Sequence, residues 1–469
     1  MKLTTLEIGE FLRFNNVKFD FTYPPGHPKA GRPLHKVCFI GQSGTGKTSL
    51  LNLIKNIVGY GLIESDYDLK LIQKVDGRLT SNGGITKKVY FVDGAAHVGM
   101  RIIGKERTIE DRTEHPQSRL IPHYRDSNVL IHFPAEINTS LEFNTYQPPQ
   151  NLSEAIRPAQ QAEEDGLNYT KDQPVFQHFD FSAKNVGKIW ADILKEIHAY
   201  RTAQLAFVSQ LTNKLSQQLI SAEKLLLELQ DWQKNNENQL IPLSKHLNRI
   251  LHRFNLEIRP EFEFKNESDL HFINIHQRNG DEVPFHFWST GTKQVIFTAT
   301  PLFTLNTDKT VVLMDEPERS LYPDIQEMII DYYSECAPNA QFFYATHSPI
   351  IASSFDPWEI YELKFDEKGN VYVESYLKPG TERHVDNYKL HPKYLRWDSI
   401  LQKVFDLETE GHKDRQAKMG ELARLDQKLV KLREKSGAEN TKEIQELWVK
   451  YKELAEQLDW KIQENYAEN

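Results

Sequence analysis

Hydrophobic positions along this chain change period several times, and each change predicts an element. Leu3, Leu6 and Ile8, then Val17, Phe19 and Phe21, alternate with polar residues and predict two opening strands. Val37-Cys38-Phe39-Ile40 is a continuous apolar run that leads into an apolar-periodic segment from Leu50 to Ile57, so a strand precedes a helix. Short strands follow at Lys88–Val92 and Val129–Pro134, and residues 141–184 read as a polar, Pro-bearing loop. From Val186 to Trp232 the spacing becomes three and four, through Val208, Leu211, Leu215, Leu219, Ala222, Leu226 and Leu229. One helix of about 47 residues would reach about 70 Å, either as a protruding arm or packed on the core. Pro242 punctuates it, and a second helix is expected to run to Phe254.

The later half reads as strands, a Ser/Gly turn and a helix over 256–300. Thr310–Met314 and Phe342–Ala345 are uninterrupted apolar strands, the pattern of a parallel sheet covered on both faces. Trp358–Tyr361 and Val371–Val373 flank Gly369-Asn370 as a hairpin. In the tail, Leu422, Leu425, Leu429 and Leu432 form one stripe; Leu447, Tyr451, Leu454, Leu458 and Ile462 form another. The break at Ser436-Gly437 between them predicts an antiparallel helical hairpin. A free hairpin of this size is marginal, so its stripes are expected to dock on the chain's own core or on a partner. The expected divisions are an N-terminal lobe over 1–140, a loop and long helical insertion over 141–255, a C-terminal lobe over 256–405 and the hairpin over 406–469.

Composition narrows the class. A chain of 469 residues holds a large core and two or three domains. Hydrophobic content of 39% suits a chain with much exposed helix, and a net charge of −9 argues against a bulk polyanion binder, although a local basic face stays open. Two cysteines, Cys38 and Cys336, make no disulfide framework and favour a reducing cytosol. The N-terminus has no apolar signal core, and no run approaches the roughly 18 apolar residues of a membrane span.

The candidate chemistry starts at Gly41-Gln42-Ser43-Gly44-Thr45-Gly46-Lys47-Thr48, which satisfies G-x-x-x-x-G-K-[ST] at every fixed position, in a strand–loop–helix context. Its glycines let backbone amides surround a phosphate, Lys47 reaches the β- and γ-phosphates, and the Thr48 hydroxyl can ligate Mg²⁺. Ser49 continues the loop into the helix. Val311-Val312-Leu313-Met314-Asp315-Glu316-Pro317 delivers two carboxylates at the end of a buried strand, Asp315 for Mg²⁺ and Glu316 as general base for the attacking water. Trp288-Ser289-Thr290-Gly291-Thr292-Lys293-Gln294 opens a helix whose amides and hydroxyl could hold a second phosphate. Tyr344-Ala345-Thr346-His347-Ser348-Pro349 ends a strand in a histidine, which could sense the charge lost on hydrolysis.

That order, with Glu318-Arg319-Ser320-Leu321-Tyr322-Pro323 after the carboxylates, resembles the ABC-type ATPases of the SMC/RecF/OLD-like group. The phrases DEPERSLYPDIQ and ATHSPIIAS look like the ATPase subunits of bacterial anti-phage systems such as PARIS or Septu. The resemblance implies a mixed α/β ATPase head with an antiparallel β-subdomain, a helical insertion and a helical tail. It implies ATP and Mg²⁺ as cofactors, with Ser289, Gly291 and Lys293 contacting the nucleotide of an opposite subunit and His347 as a switch. Ser320-Leu321 would be a dimer contact, Arg13 matches a basic position after the first strand, and Phe133–Glu136 is the candidate Q-loop region. The signature departs from the group at Trp288 and Thr290. OLD-type nucleases continue into a domain with an Asp-x-Asp metal pair, which is missing after His347. The expectation is therefore a cytoplasmic homodimer or higher homo-oligomer that controls a separate effector, a nuclease. Direct action on DNA as a RecF/SMC-like repair ATPase is the alternative; a transporter subunit fits less well.

Overall fold

The computed structural model describes residues 2–62, 87–93, 96–101, 130–136, 178–181, most of 200–259, most of 275–407, 411–434 and 441–461. The stretch 141–177 and the start of the helical pattern at Val186 lie outside the described residues. The chain divides into two units, Met1–Leu395 and Arg396–Asn469.

The first unit is built on one 11-stranded sheet. The strands β1 (Leu3–Phe11) and β2 (Phe14–Asp20) form the opening antiparallel pair. Next, β3 (Lys36–Gly41) leads into helix α1 (Lys47–Leu62). The strands β4 (Lys87–Asp93) and β5 (Ala96–Arg101) extend the antiparallel side beyond β1. Then β6 (Leu130–Phe133) pairs in parallel with β7 (His178–Asp180), a strand inside the region expected to be loop. The short pair β8 (Leu256–Ile258) and β9 (Ile275–Gln277) stands apart as a two-stranded sheet. Finally β10 (Val311–Asp315), β11 (Gln341–Ala345), β12 (Ile360–Phe365) and β13 (Val371–Glu374) complete the large sheet.

The sheet order is β5-β4-β1-β2-β13-β12-β3-β11-β10-β6-β7. From β12 to β7 every neighbour is parallel, so the C-terminal ends of β3, β11, β10 and β6 lie along one edge. That edge is where ligands sit in α/β sheets. The uninterrupted apolar strands follow from cover on both faces. On one face Val37, Phe39, Val311, Leu313 and Phe343 join Leu50, Leu51, Leu53 and Ile54 of α1 in a single core. Phe19 and Phe21 reach the same core, with Phe21 edge-on to Phe343 at 5.0 Å. Each fully buried Leu or Phe contributes about 1.5–3 kcal/mol. By strand alternation Cys38, Ile40, Val312, Met314, Phe342 and Tyr344 face the other way, and all are buried. Cys38 is a core residue, as its position in the strand implies.

Helices α2 (Ala222–Asn235), α3 (Leu240–Leu251), α4 (Thr290–Thr304), α5 (Pro323–Cys336) and the one-turn α6 (Pro349–Ala352) complete the unit. The single long helix read from the 3/4 spacing is not present. Residues 206–216 are helical, and the chain then turns at 217–220. Gln218 is left-handed (φ 56°), and the Leu219 amide closes onto the Lys214 carbonyl at 2.9 Å. Ser221 then caps α2 by accepting the Lys224 amide. A left-handed residue followed by a Ser cap stops one helix and starts another. The second segment folds back, since Trp232 stacks on Phe207 with ring centroids 5.5 Å apart. No residue of α2 is buried. Pro242 falls inside the first turn of α3, where its missing N–H costs little.

The second unit contains α7 (Trp397–Lys403), α8 (Lys413–Glu434) and α9 (Thr441–Gln457). Leu422 and Leu429 of α8 pack with Tyr451, Leu454, Ala455 and Leu458. Arg415 donates to the Leu458 carbonyl at 2.7 Å and Lys418 to Gln457 at 2.9 Å, which makes the pair antiparallel. The two apolar stripes therefore cover each other first. The α/β class, the mixed sheet with its antiparallel flank and the C-terminal helical hairpin are all as expected from sequence.

Candidate nucleotide site

The loop between β3 and α1 curls around three left-handed glycines, Gly41, Gly44 and Gly46. Gly41 has φ 142°, and a Cβ there would lie 2.2 Å from the Leu363 carbonyl oxygen of β12. Only glycine allows the loop to leave the sheet at that point. Lys47 is buried, and its Nζ donates to the carbonyls of Gly41 at 2.8 Å and Gln42 at 3.1 Å. Burial lowers the Lys47 pKa to about 8, against the pull of Asp315, Glu316 and Glu318. Thr45 ties the loop internally through its hydroxyl to the Gln42 carbonyl at 2.8 Å. Ser43 is exposed and Ser49 half-buried at the start of α1.

Asp315 ends β10 beside this loop. Its carboxylate accepts the Thr48 hydroxyl at 2.8 Å. Burial raises the Asp315 pKa, and the Thr48 hydrogen bond works against that rise. Two hard oxygen donors are thus adjacent, the donor type Mg²⁺ selects. Glu316 follows in a left-handed conformation (φ 47°), with its amide bonded to Ala345 of β11 at 2.8 Å. Glu318, two residues on, turns inward. Its Oε1 accepts the Thr346 hydroxyl at 2.6 Å and the His347 amide at 3.2 Å. His347 is exposed at the strand end, and partial desolvation together with Lys47 holds its imidazole below the usual range.

Ser289 caps α4, accepting the Thr292 amide at 3.1 Å and pairing with its hydroxyl at 2.8 Å. The side chain of Ser289 stays exposed and Lys293 is half-buried. Gly291 is buried, and a Cβ there would lie 2.6 Å from the Ser320 carbonyl oxygen. Lys47, Thr48, Asp315, Glu316 and His347 are thus drawn to one sheet edge, whereas Gly291 meets the turn after Asp315 and Ser289 caps its own helix. Arg319 of that turn pairs with Glu136, in the segment after β6.

Three features went unread in the sequence or had no role. A cavity of about 430 Å³ is lined by Leu12, Arg13, Phe14, Gly44, Thr45, Gly46 and Ser49. Arg13, stacked over Phe365 at 5.3 Å, forms part of its wall. Glu318 was legible only as part of the phrase after Asp315-Glu316. Finally, buried His132 of β6 bonds Asp180 of β7 at 2.8 Å, and Lys55 of α1 holds the same carboxylate at 3.0 Å. A lone His in an apolar run gave no signal of that network.

A parallel sheet with a P-loop and an acidic strand end on its C-terminal edge defines a P-loop nucleotide-binding domain. Residues 36–353 match the model of the family described as "AAA domain, putative AbiEii toxin, Type IV TA system", and the chain belongs to that family. Among solved structures it is similar to the SMC head domain from Thermotoga maritima, at 12% identity and TM-score 0.34, over 80% of this chain and 99% of that one. It is also similar to the Pyrococcus furiosus Smc head domain with an extended coiled coil bound to the C-terminal domain of ScpA. There the identity is 13% and the TM-score 0.39, over 80% of this chain and 96% of that one. A comparison with curated proteins returns no match. Among the described residues no helix is long and apolar enough to cross a membrane.

Proposed function

We propose that the chain binds ATP with Mg²⁺ on the P-loop, hydrolyses it between two copies, and thereby controls a separate effector, a nuclease, in anti-phage defence. The observation that carries the ATPase reading is the 2.8 Å contact between Thr48 and Asp315, which joins the P-loop helix to the acidic strand. Thr48 and Asp315 would hold the Mg²⁺, which supplies charge neutralisation between the phosphates. Lys47, now folded onto the Gly41 and Gln42 carbonyls, is placed to exchange those partners for phosphate oxygens. Gly41, Ser43, Gly44, Gly46 and Ser49 supply the surrounding backbone, and the cavity beside Arg13 is the space for the nucleoside. Glu316 is the general base and His347 the group that contacts the terminal phosphate. Ser289, Gly291 and Lys293 act on the nucleotide of the opposite copy. The family description, with its Type IV TA system, supports a role alongside a partner.

The test is ATP turnover with purified variants. Lys47→Ala is expected to lose at least about a hundredfold in rate, and Glu316→Gln to bind ATP, stop turnover and sediment as an ATP-dependent dimer. Undiminished hydrolysis by folded Lys47→Ala would overturn the site. No ATP-enhanced association of Glu316→Gln would overturn the two-copy mechanism. The trapped Glu316→Gln dimer should retain a nuclease encoded beside it. Hydrolysis stimulated by DNA, with no retained protein, would favour direct action on DNA.

A further inference from the structure

Glu318 is a buried carboxylate that none of the roles above uses. The turn carrying it is bracketed by two left-handed residues, Glu316 (φ 47°) and Ser320 (φ 61°). Strain of this kind persists where surrounding structure over-determines it. It aims Glu318 back under the loop that leaves β11. There Oε1 takes two donors at once, the Thr346 hydroxyl and the His347 amide. Thr346 in turn accepts the Ser348 amide at 2.9 Å, and the Ser348 hydroxyl donates to Gln326 of α5 at 2.7 Å. Gln326 donates back to the Leu321 carbonyl at 2.9 Å. Residues 346–348 are therefore gripped from both ends of the 316–321 turn. The second oxygen, Oε2, is fully buried and has no hydrogen-bond partner among the described residues. Burial also lifts the carboxyl above its usual range, against the hydrogen bonds it receives. Burying a carboxylate costs stability, and here the two hydrogen bonds on Oε1 offset that cost only in part.

We infer that Glu318 is a positioning residue, not a second base: by holding the Thr346 hydroxyl and the His347 amide on one oxygen, it fixes the backbone that presents His347 to the nucleotide. The inference rests on the ATPase reading for its consequence, though not for its geometry. Because Glu318 shares a turn with Glu316 and Ser320, movement of that turn is transmitted to His347. The Gly291 end of α4 rests on the same turn through Ser320.

Hydrogen exchange measured by mass spectrometry on the full chain, alongside steady-state ATP turnover, tests this. Glu318→Ala should speed exchange at 346–350 by about tenfold, the scale of hydrogen bonds to a charged group, and leave β10 protected. Its kcat should fall about tenfold while KM for ATP stays within about threefold. Glu318→Gln keeps an oxygen acceptor and should keep exchange within about threefold of wild type. In a His347→Ala background, Glu318→Ala should add no further loss of kcat, because the two act as one unit. Unchanged exchange in Glu318→Ala, or fully additive losses with His347→Ala, would overturn the inference. So would a Glu318→Gln variant as damaged as Glu318→Ala, since the charge itself would then be acting. If Glu318→Ala does not fold, Thr346→Val removes one of the two donors and should raise the same local exchange; unaltered exchange there overturns the inference equally. A wild-type chain without turnover would sink the ATPase reading, while the exchange measurements still decide the positioning.

Discussion

Lys47 shows how much of this site is prepared before any ligand arrives. Its ammonium is buried against two carbonyls, and burial lowers its pKa to about 8. Below that value it is charged; above it the side chain is increasingly a neutral amine. Phosphate oxygens favour the charged form and would raise the pKa on binding. Nucleotide binding should therefore take up a substantial fraction of one proton at about pH 8.5 and almost none at about pH 6.5. Calorimetric titration in buffers of differing ionisation enthalpy reads this directly. Equal binding heats in all buffers at the higher pH would show no proton uptake, so that Lys47 is either fully charged already or gains no phosphate contacts. Asp315 shifts the other way for the same cause, since burial raises a carboxyl and lowers an ammonium.

At the scale of elements, the informative contacts are between backbones. Gly291 lets the first turn of α4 rest against the Ser320 carbonyl, so the signature-like turn and the turn after Asp315 form one surface. Gly291→Ala places a methyl 2.6 Å from that oxygen, and backbone must shift to admit it. The expected loss is about 1–3 kcal/mol of stability, read as a lower urea midpoint with unchanged slope. A midpoint equal to wild type would mean the two turns are not in firm contact. The helical segment before α2 teaches a different lesson. Leu211, Leu215, Leu219, Leu226 and Leu229 keep a helical spacing through a turn, because spacing alone does not register a single left-handed Gln218.

At the scale of the whole chain, every proposed nucleotide contact lies within the first unit, and the helical hairpin lies within the second. The hairpin closes its own stripes, with Leu429 1% and Ala455 0% exposed. The stripes expected to dock on the core or a partner thus find their cover in each other, so any partner would have to meet the hairpin's outer, charged faces. If one does, deleting residues 409–469 should leave ATP turnover within about threefold of wild type and abolish higher assembly or effector capture. An insoluble truncation, or one that assembles and captures its partner normally, would refute the interaction role.

The P-loop and the Asp-Glu strand end were readable because their chemistry depends on contiguous residues. Gly41, Gly46, Lys47 and Thr48 sit in one loop, and Asp315-Glu316 closes one apolar strand. The alternating core was readable for the same reason, since strand and helix periods are local properties of the chain. What required the tertiary structure was everything set by pairs distant in sequence. Thr48 meets Asp315 across 267 positions, and Asp180 joins His132 to Lys55 from a strand inside a predicted loop. Glu318 stood in the sequence only as part of the phrase after Asp315-Glu316, and the parallel pairing of β10 and β11 is what sets it beneath Thr346 and His347. Sequence determined which groups the chain carries and in what local geometry. Sheet order and burial decided which of them meet, because the sign of a pKa shift and the partner of a hydrogen bond depend on neighbours brought in by folding.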